Sequence, residues 1–180
     1  MKSIITLFTL FFSLSFYGQT FEEKNGEIIL YSKTKTTSIK AESNNYIARL
    51  NTGTGGFSAV VPVNSFKFKK SLMQKHFNQK GFMYSEKYPE IKFKGKISSF
   101  DKSLKPGTYK YSIVGNITIK GVTEPQIAHA RLVIIGKKLT LYSKFTVKDI
   151  GRFEVGKSKD KKEKSSIPDN IEIESWITFN

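Results

Sequence analysis

The sequence predicts an all-β protein, an antiparallel up-and-down barrel of about eight strands with one short inserted helix. Three observations carry this. From Gly26 onward apolar and polar residues alternate with period two, which gives each strand one dry and one wet face. Several alternating runs are nine residues or longer, beyond the usual five or six, which favours a barrel over a sandwich of short strands. One segment, Lys69–Gln79, breaks the alternation, and no parallel strand–helix–strand rhythm occurs.

Taken in order, Gly26–Ser32 and Ser38–Leu50 read as an opening hairpin-like pair, with Asn44-Asn45 as a bend or turn. Gly56–Val63 follows a glycine-rich turn, Thr52-Gly53-Thr54-Gly55-Gly56. In Lys69–Gln79, Leu72, Met73, His76 and Phe77 recur at spacings of three and four, so the pattern predicts a short helix with those four on one face. Ser85–Pro89 runs extended, because the residue before proline avoids the helical region. In Ile91–Ile97 every odd residue is apolar or glycine and every even one is lysine. Tyr109–Ile113 and Ile117–Lys120 follow the same rule, as do Leu139–Val147 and Ile171–Phe179. Gln126–Ile135 puts Ala128, Ala130, Leu132 and Ile134 inward. Turn signals fall at Lys105-Pro106-Gly107, Gly121, Gly136 and Pro168-Asp169-Asn170.

The first stretch stands apart. Lys2 precedes an almost unbroken apolar run, Ile4–Phe12, and a small residue, Gly18, stands near the end of the stretch. That is the pattern of a secretory signal peptide over 1–18, too short in its apolar part to span a bilayer, and it leaves one barrel domain over 19–180. The chain has no cysteine, which excludes disulfides, thiolate metal sites, cysteine nucleophiles and a lipidated N-terminal cysteine. The expected location is therefore periplasmic or secreted. With 30 Lys+Arg against 15 Asp+Glu, the surface suits anionic partners, an anionic membrane surface among them. Export argues against nucleic acid. A homodimer is left open.

Nothing points to catalysis, a metal or a cofactor. His76 and His129 are the only histidines and lie on different elements, whereas catalytic zinc takes three protein ligands. His129 alternates with inward Ala128 and Ala130 and so faces solvent. No nucleophile elbow, zincin or phosphate-loop motif occurs. Glu172 and Glu174 fall on the wet face of the last strand. The run Lys157–Lys164 is a solvated loop, or a basic rim for anionic headgroups.

Four stretches together resemble a known family. Ser65–Phe77 leads into Ser85-Glu86-Lys87-Tyr88-Pro89-Glu90-Ile91-Lys92-Phe93-Lys94-Gly95. Gly107-Thr108-Tyr109 leads into Gly115-Asn116-Ile117-Thr118-Ile119-Lys120-Gly121-Val122-Thr123-Glu124-Pro125, and Phe145-Thr146-Val147 and Asp149-Ile150-Gly151 close the set. Across nearly the whole mature chain this resembles the YceI family of exported, lipocalin-like lipid-binding proteins. The resemblance implies an eight-stranded barrel around a long apolar cavity, isoprenoid or quinone-type ligands and no catalytic residues. Where the family often has histidine before the Gly-Val-Thr stretch, this chain has Lys120.

By parity Phe57, Phe93, Tyr109, Tyr111, Phe145 and Phe179 point inward, and the helix and the loop after it add Met73, Phe77 and Phe82. An interior of this size is filled by side chains or holds one ligand, and the residues alone leave both open. With the resemblance, these nine residues and His76, as polar support, form the candidate site for an isoprenoid or fatty lipid. Gly95, Ala128, Ala130, Ser143 and Ser175 leave the space. The tail lies along the barrel axis, the headgroup sits near the helix, and the protein carries or sequesters its cargo. The alternative is a filled barrel that binds anionic polymers or headgroups on its basic surface.

Overall fold

The computed structural model describes residues 19–33, 38–156 and 169–180; the expected leader over 1–18 and the basic run Lys157–Lys164 lie outside the described residues. The strands are β1 (Thr20–Lys33), β2 (Ser38–Asn51), β3 (Gly56–Pro62), β4 (Lys67–Phe68), β5 (Glu90–Ile97), β6 (Gly107–Ile119), β7 (Val122–Ile135), β8 (Lys138–Val147) and β9 (Ile171–Phe179), with helix α1 (Ser71–Asn78) between β4 and β5. All pairings are antiparallel, in the order β1-β9-β8-β7-β6-β5-β3-β2, and β2 returns to β1. Eight strands thus close a barrel, as the alternation and strand lengths predict, while the two-residue β4 lies along the first half of β2.

Asn44-Asn45 is not a turn. Gly26 pairs with Tyr46 and Ile28 with Ser43, so β2 carries an extra residue there, and β1 carries its own between Glu23 and Gly26. These adjacent bulges flip the parity of both strands. On β2 the buried residues are Ala41 and Ser43 before the bulge but Tyr46, Ala48 and Leu50 after it. Burial of apolar side chains overrides strict alternation, and the extra residue absorbs the mismatch. The freed Asn45 N–H donates to Ser43 Oγ (3.1 Å), Ser43 to Ser65 Oγ (2.6 Å), and Ser65 to the Pro62 carbonyl (2.6 Å).

The helix is two residues shorter at its start and one at its end than predicted, and it is turned about its axis. Its half-buried residues are Met73, Gln74, Phe77 and Asn78, while Leu72 is 61% exposed and His76 faces solvent. The cause is local hydrogen bonding. Gln74 accepts the Phe68 N–H of β4 (3.2 Å), Asn78 donates back to the Gln74 carbonyl (2.9 Å), and Phe77 packs against Phe66 and Phe68 (ring centroids 5.8 and 4.9 Å). An eight-residue helix is marginal alone, so its contacts set its orientation.

Both barrel ends carry capping elements. At the helix end lie α1, the loop 79–89, the β6–β7 turn at Lys120-Gly121 and the 3-10 turn Ile150–Phe153, which inserts buried Ile150 and Phe153. The opposite end holds the 52–55 and 98–106 loops and the last residue of β9, fully buried Phe179.

Mid-wall, Gly95 of β5 faces Gly115 of β6, and Phe57 of β3 pairs with Gly95 from the other side. A Cβ on Gly95 would stand 2.6 Å from the Val114 carbonyl oxygen and 2.9 Å from Gly115 Cα, so the two strands approach too closely for any side chain. Gly95→Ala is expected to fold but to lose about 1–3 kcal/mol, read as a lower thermal midpoint; an unchanged midpoint would contradict the close approach.

Candidate functional site

The barrel interior holds an apolar void of about 40 Å³, lined among others by Ile28, Ala59, Val61, Ile91, Ile113, Ile117, Ala128 and Ile173. Three phenylalanine rings on its lining form a connected chain. Phe57 meets Phe93 at 6.2 Å between centroids, and Phe93 meets Phe145 at 6.3 Å. Phe57 sits on β3, Phe93 on β5 and Phe145 on β8, so the chain bridges well-separated parts of the wall.

Seven other sequence candidates do not line the void. Phe77 and Met73 half-bury at the helix end. His76 is exposed and stacks on Phe82 (6.5 Å, 13° between planes), so it gives the interior no polar support; the rotation of α1 that buries Phe77 turns it out. Tyr109 and Tyr111 stack at the opposite end (6.1 Å, 8°), where Tyr109 donates to the Lys105 carbonyl (2.9 Å) and Tyr111 accepts the Asp101 N–H (3.3 Å). Phe179 packs edge-on against Phe21 at that end. Parity gives a side chain's direction but not its height along the axis, and β6 and β9 place these rings near strand termini.

Sequence reasoning missed a polar feature of the void. Tyr46, Ser143 and Ser175 all line it. Ser175 Oγ lies 2.7 Å from Ser143 Oγ, and the Tyr46 hydroxyl is close enough to Ser175 to be influenced by its hydroxyl. Tyr46 and Ser175 are each only 5% exposed. Burial is the larger influence on the Tyr46 hydroxyl and pushes its pKa up to about 12, against a smaller lowering by Ser175. Gly26 makes the contact reachable. A Cβ there would stand 2.5 Å from Tyr46 Cδ1 and 2.9 Å from Ile177 Cδ1, so its absence lets the Tyr46 ring lie across β1 towards β9. The available signal was a glycine inside a strand, which marks a close approach; the flipped parity hid the rest.

Lys120 works outside the void. Its ammonium donates to the carbonyls of Glu154 (2.6 Å) and Lys80 (3.4 Å), and Gly156 N–H bonds the Gly81 carbonyl (3.0 Å), which stitches the two capping loops together. Partial burial lowers its pKa, opposed by Glu154. On the outer wall Lys144 lies between Glu172 (2.9 Å) and Glu174 (2.7 Å). Among the described residues no group of three or more His, Cys, Asp or Glu side chains could hold a metal ion.

Comparison with known proteins fits this geometry. The profile of the YceI-like domain matches residues 7–179. A UPF0312 protein of Photorhabdus laumondii is 31% identical over 80 residues, 44% of this chain and only 38% of that protein's length. BcnA of Burkholderia cenocepacia superposes with a TM-score of 0.71 at 19% identity, over 85% of this chain and 95% of that one. A polyisoprenoid binding domain from Saccharophagus degradans, implicated in plant cell wall breakdown, gives 0.71 at 6% identity over 89% and 97%. A YceI protein of Campylobacter jejuni gives 0.63 at 18% identity over 82% and 88%. At these identities the superpositions speak for the fold.

The raised Tyr46 pKa has a pH consequence. Its stabilising effect is whole below the ordinary tyrosine value near pH 10 and is lost as pH rises through about 12, because the unfolded chain gives up that proton first. Chemical denaturation at roughly pH 9 and pH 12 should show the wild type losing about 2 kcal/mol more than Tyr46→Phe; equal losses would contradict the burial.

Proposed function

The chain belongs to the YceI-like domain family, and on that premise we propose that it binds a lipid-like apolar molecule, an isoprenoid, quinone or fatty chain, inside the barrel and carries or sequesters it in the cell envelope. The observation that carries this reading is the apolar interior with its ring chain Phe57–Phe93–Phe145 around a void. Apolar burial drives the binding, at roughly 0.8 kcal/mol per buried methylene. The role is binding rather than turnover, and the expected export places it in the periplasm or outside the cell.

Size sets the mechanism. A void of about 40 Å³ is far below the ~150 Å³ that takes a benzene ring. A chain ligand therefore enters by displacement: Phe145 and Ile91, both half-buried, swing aside, and the helix-end loops joined by Lys120 part to admit the tail. The gain from burying the ligand offsets the cost of repacking the wall.

The same small void favours a second reading, the filled barrel. Its partner surface is the exposed row Lys92, Lys94 and Lys96 on β5, of which Lys92 pairs with Glu90 at 2.9 Å. Such a row attracts anionic polymers or an anionic membrane surface.

Mass spectrometry of organic extracts of the purified protein, against an unrelated protein exported by the same route, separates the two. The lipid reading expects one isoprenoid, quinone or fatty species in near-stoichiometric amount. A clean extract, unchanged after incubation with such lipids, sinks it and favours the basic wall.

A further inference from the structure

We propose that the hydroxyl cluster of Tyr46, Ser175 and Ser143 is a ligand subsite that receives one uncharged hydrogen-bond acceptor, such as a carbonyl oxygen, on an otherwise apolar molecule, and so selects oxygenated lipids over plain hydrocarbons. The proposal rests on the reading of the interior as a ligand site and adds the chemistry by which that site chooses.

Stability does not account for the cluster. Three hydroxyls from β2, β9 and β8 come together on a wall formed, apart from Lys92, by alanine, valine, isoleucine and phenylalanine. Burying hydroxyls there costs desolvation, and apolar replacements of the same shape are often neutral or better. The surroundings are nonetheless shaped to bring the groups together. Gly26 leaves the space that Tyr46 crosses, and the paired bulges turn Tyr46 inward.

The donor count exceeds the contacts inside the cluster. The three hydroxyls carry three hydrogens, and their contacts with one another, Ser175 with Ser143 and Tyr46 beside Ser175, use at most two. At least one O–H of the cluster is thus free of its neighbours, and all three residues line the void. Ser143 and Phe145 are successive inward residues of β8, so the cluster lies beside the ring chain that the body of the ligand would contact.

The cluster is also neutral. Burial keeps the Tyr46 hydroxyl protonated across the physiological range. Among the lining residues the one charged side chain, Lys92, is exposed and paired with Glu90. An ionised carboxylate or phosphate placed here would lose its hydration without a counter-charge, which is prohibitive. The matching group is a ketone, quinone, ester or similar oxygen.

The test offers the purified protein an equimolar mixture of heptadecan-2-one and heptadecane in detergent micelles and measures both retained species by mass spectrometry. The wild type is expected to enrich the ketone about fivefold, the ratio one net hydrogen bond provides. Ser175→Ala and Tyr46→Phe should bring the ratio of retained ketone to retained alkane close to one. If a variant fails to fold, Ser143→Ala and the carbonyl stretch of the ketone bound to wild type decide. A frequency below that of the ketone in hexane supports the cluster, and the hexane value overturns it. Equal retention of both probes by the wild type overturns the subsite and leaves the lipid-binding reading standing; retention of neither overturns both.

Discussion

Strand β1 is hydrogen-bonded on both edges, to β2 from Thr20 to Lys33 and to β9 from Glu27 to Tyr31. That double pairing shuts the sheet on itself. An open eight-stranded sheet would present two edges of unpaired backbone groups and a wide apolar face to water, and closure removes both at once. Because the wall is continuous, whatever faces inward must find its partners inside. Apolar residues do this by packing, and Tyr46, Ser143 and Ser175 do it through one another.

Closure also explains where the glycines fall. Gly26 on the closing strand is covered by Tyr46 and Ile177, and Gly95 and Gly115 let the backbones of β5 and β6 approach closely. At Gly26 an aromatic ring takes the space that a missing Cβ releases; at Gly95 the neighbouring backbone takes it. A side-chain ring can swing without breaking a ladder hydrogen bond, and on the proposed reading that is how a barrel with so small a void gives way to a guest. The rigid parts are the ladders, and the adaptable parts are the rings and the loops over the helix end.

Much of the fold was legible because alternation is a direct imprint of the two-sided wall. Ile91–Ile97 and Ile171–Phe179 read correctly residue by residue. The pattern misled where a second force acted. At Asn44-Asn45 two polar residues in a row looked like a turn, but a bulge held the strand together and reversed which neighbours point inward. In α1 hydrophobicity favoured Leu72 and His76, whereas the need of the Phe68 N–H for an acceptor turned Gln74 inward instead. In the site, Phe57, Phe93 and Phe145 were legible as mid-strand inward rings, and Tyr109, Tyr111 and Phe179 share their parity yet sit at the far end. Tyr46 was hidden because its inward direction depends on a bulge that no local pattern announces.

The central claim is that an apolar guest occupies the space now held by the three phenylalanine rings. Nuclear magnetic resonance of protein labelled at phenylalanine, titrated with geranylgeraniol in mild detergent, tests it most directly. The account predicts that the ring signals of Phe57, Phe93 and Phe145 shift and show nuclear Overhauser contacts to the prenyl methyl groups, while those of Phe21 and Phe179 at the closed end stay in place. Shifts confined to the outer lysine row, with no contact between prenyl methyls and the three rings, would contradict it.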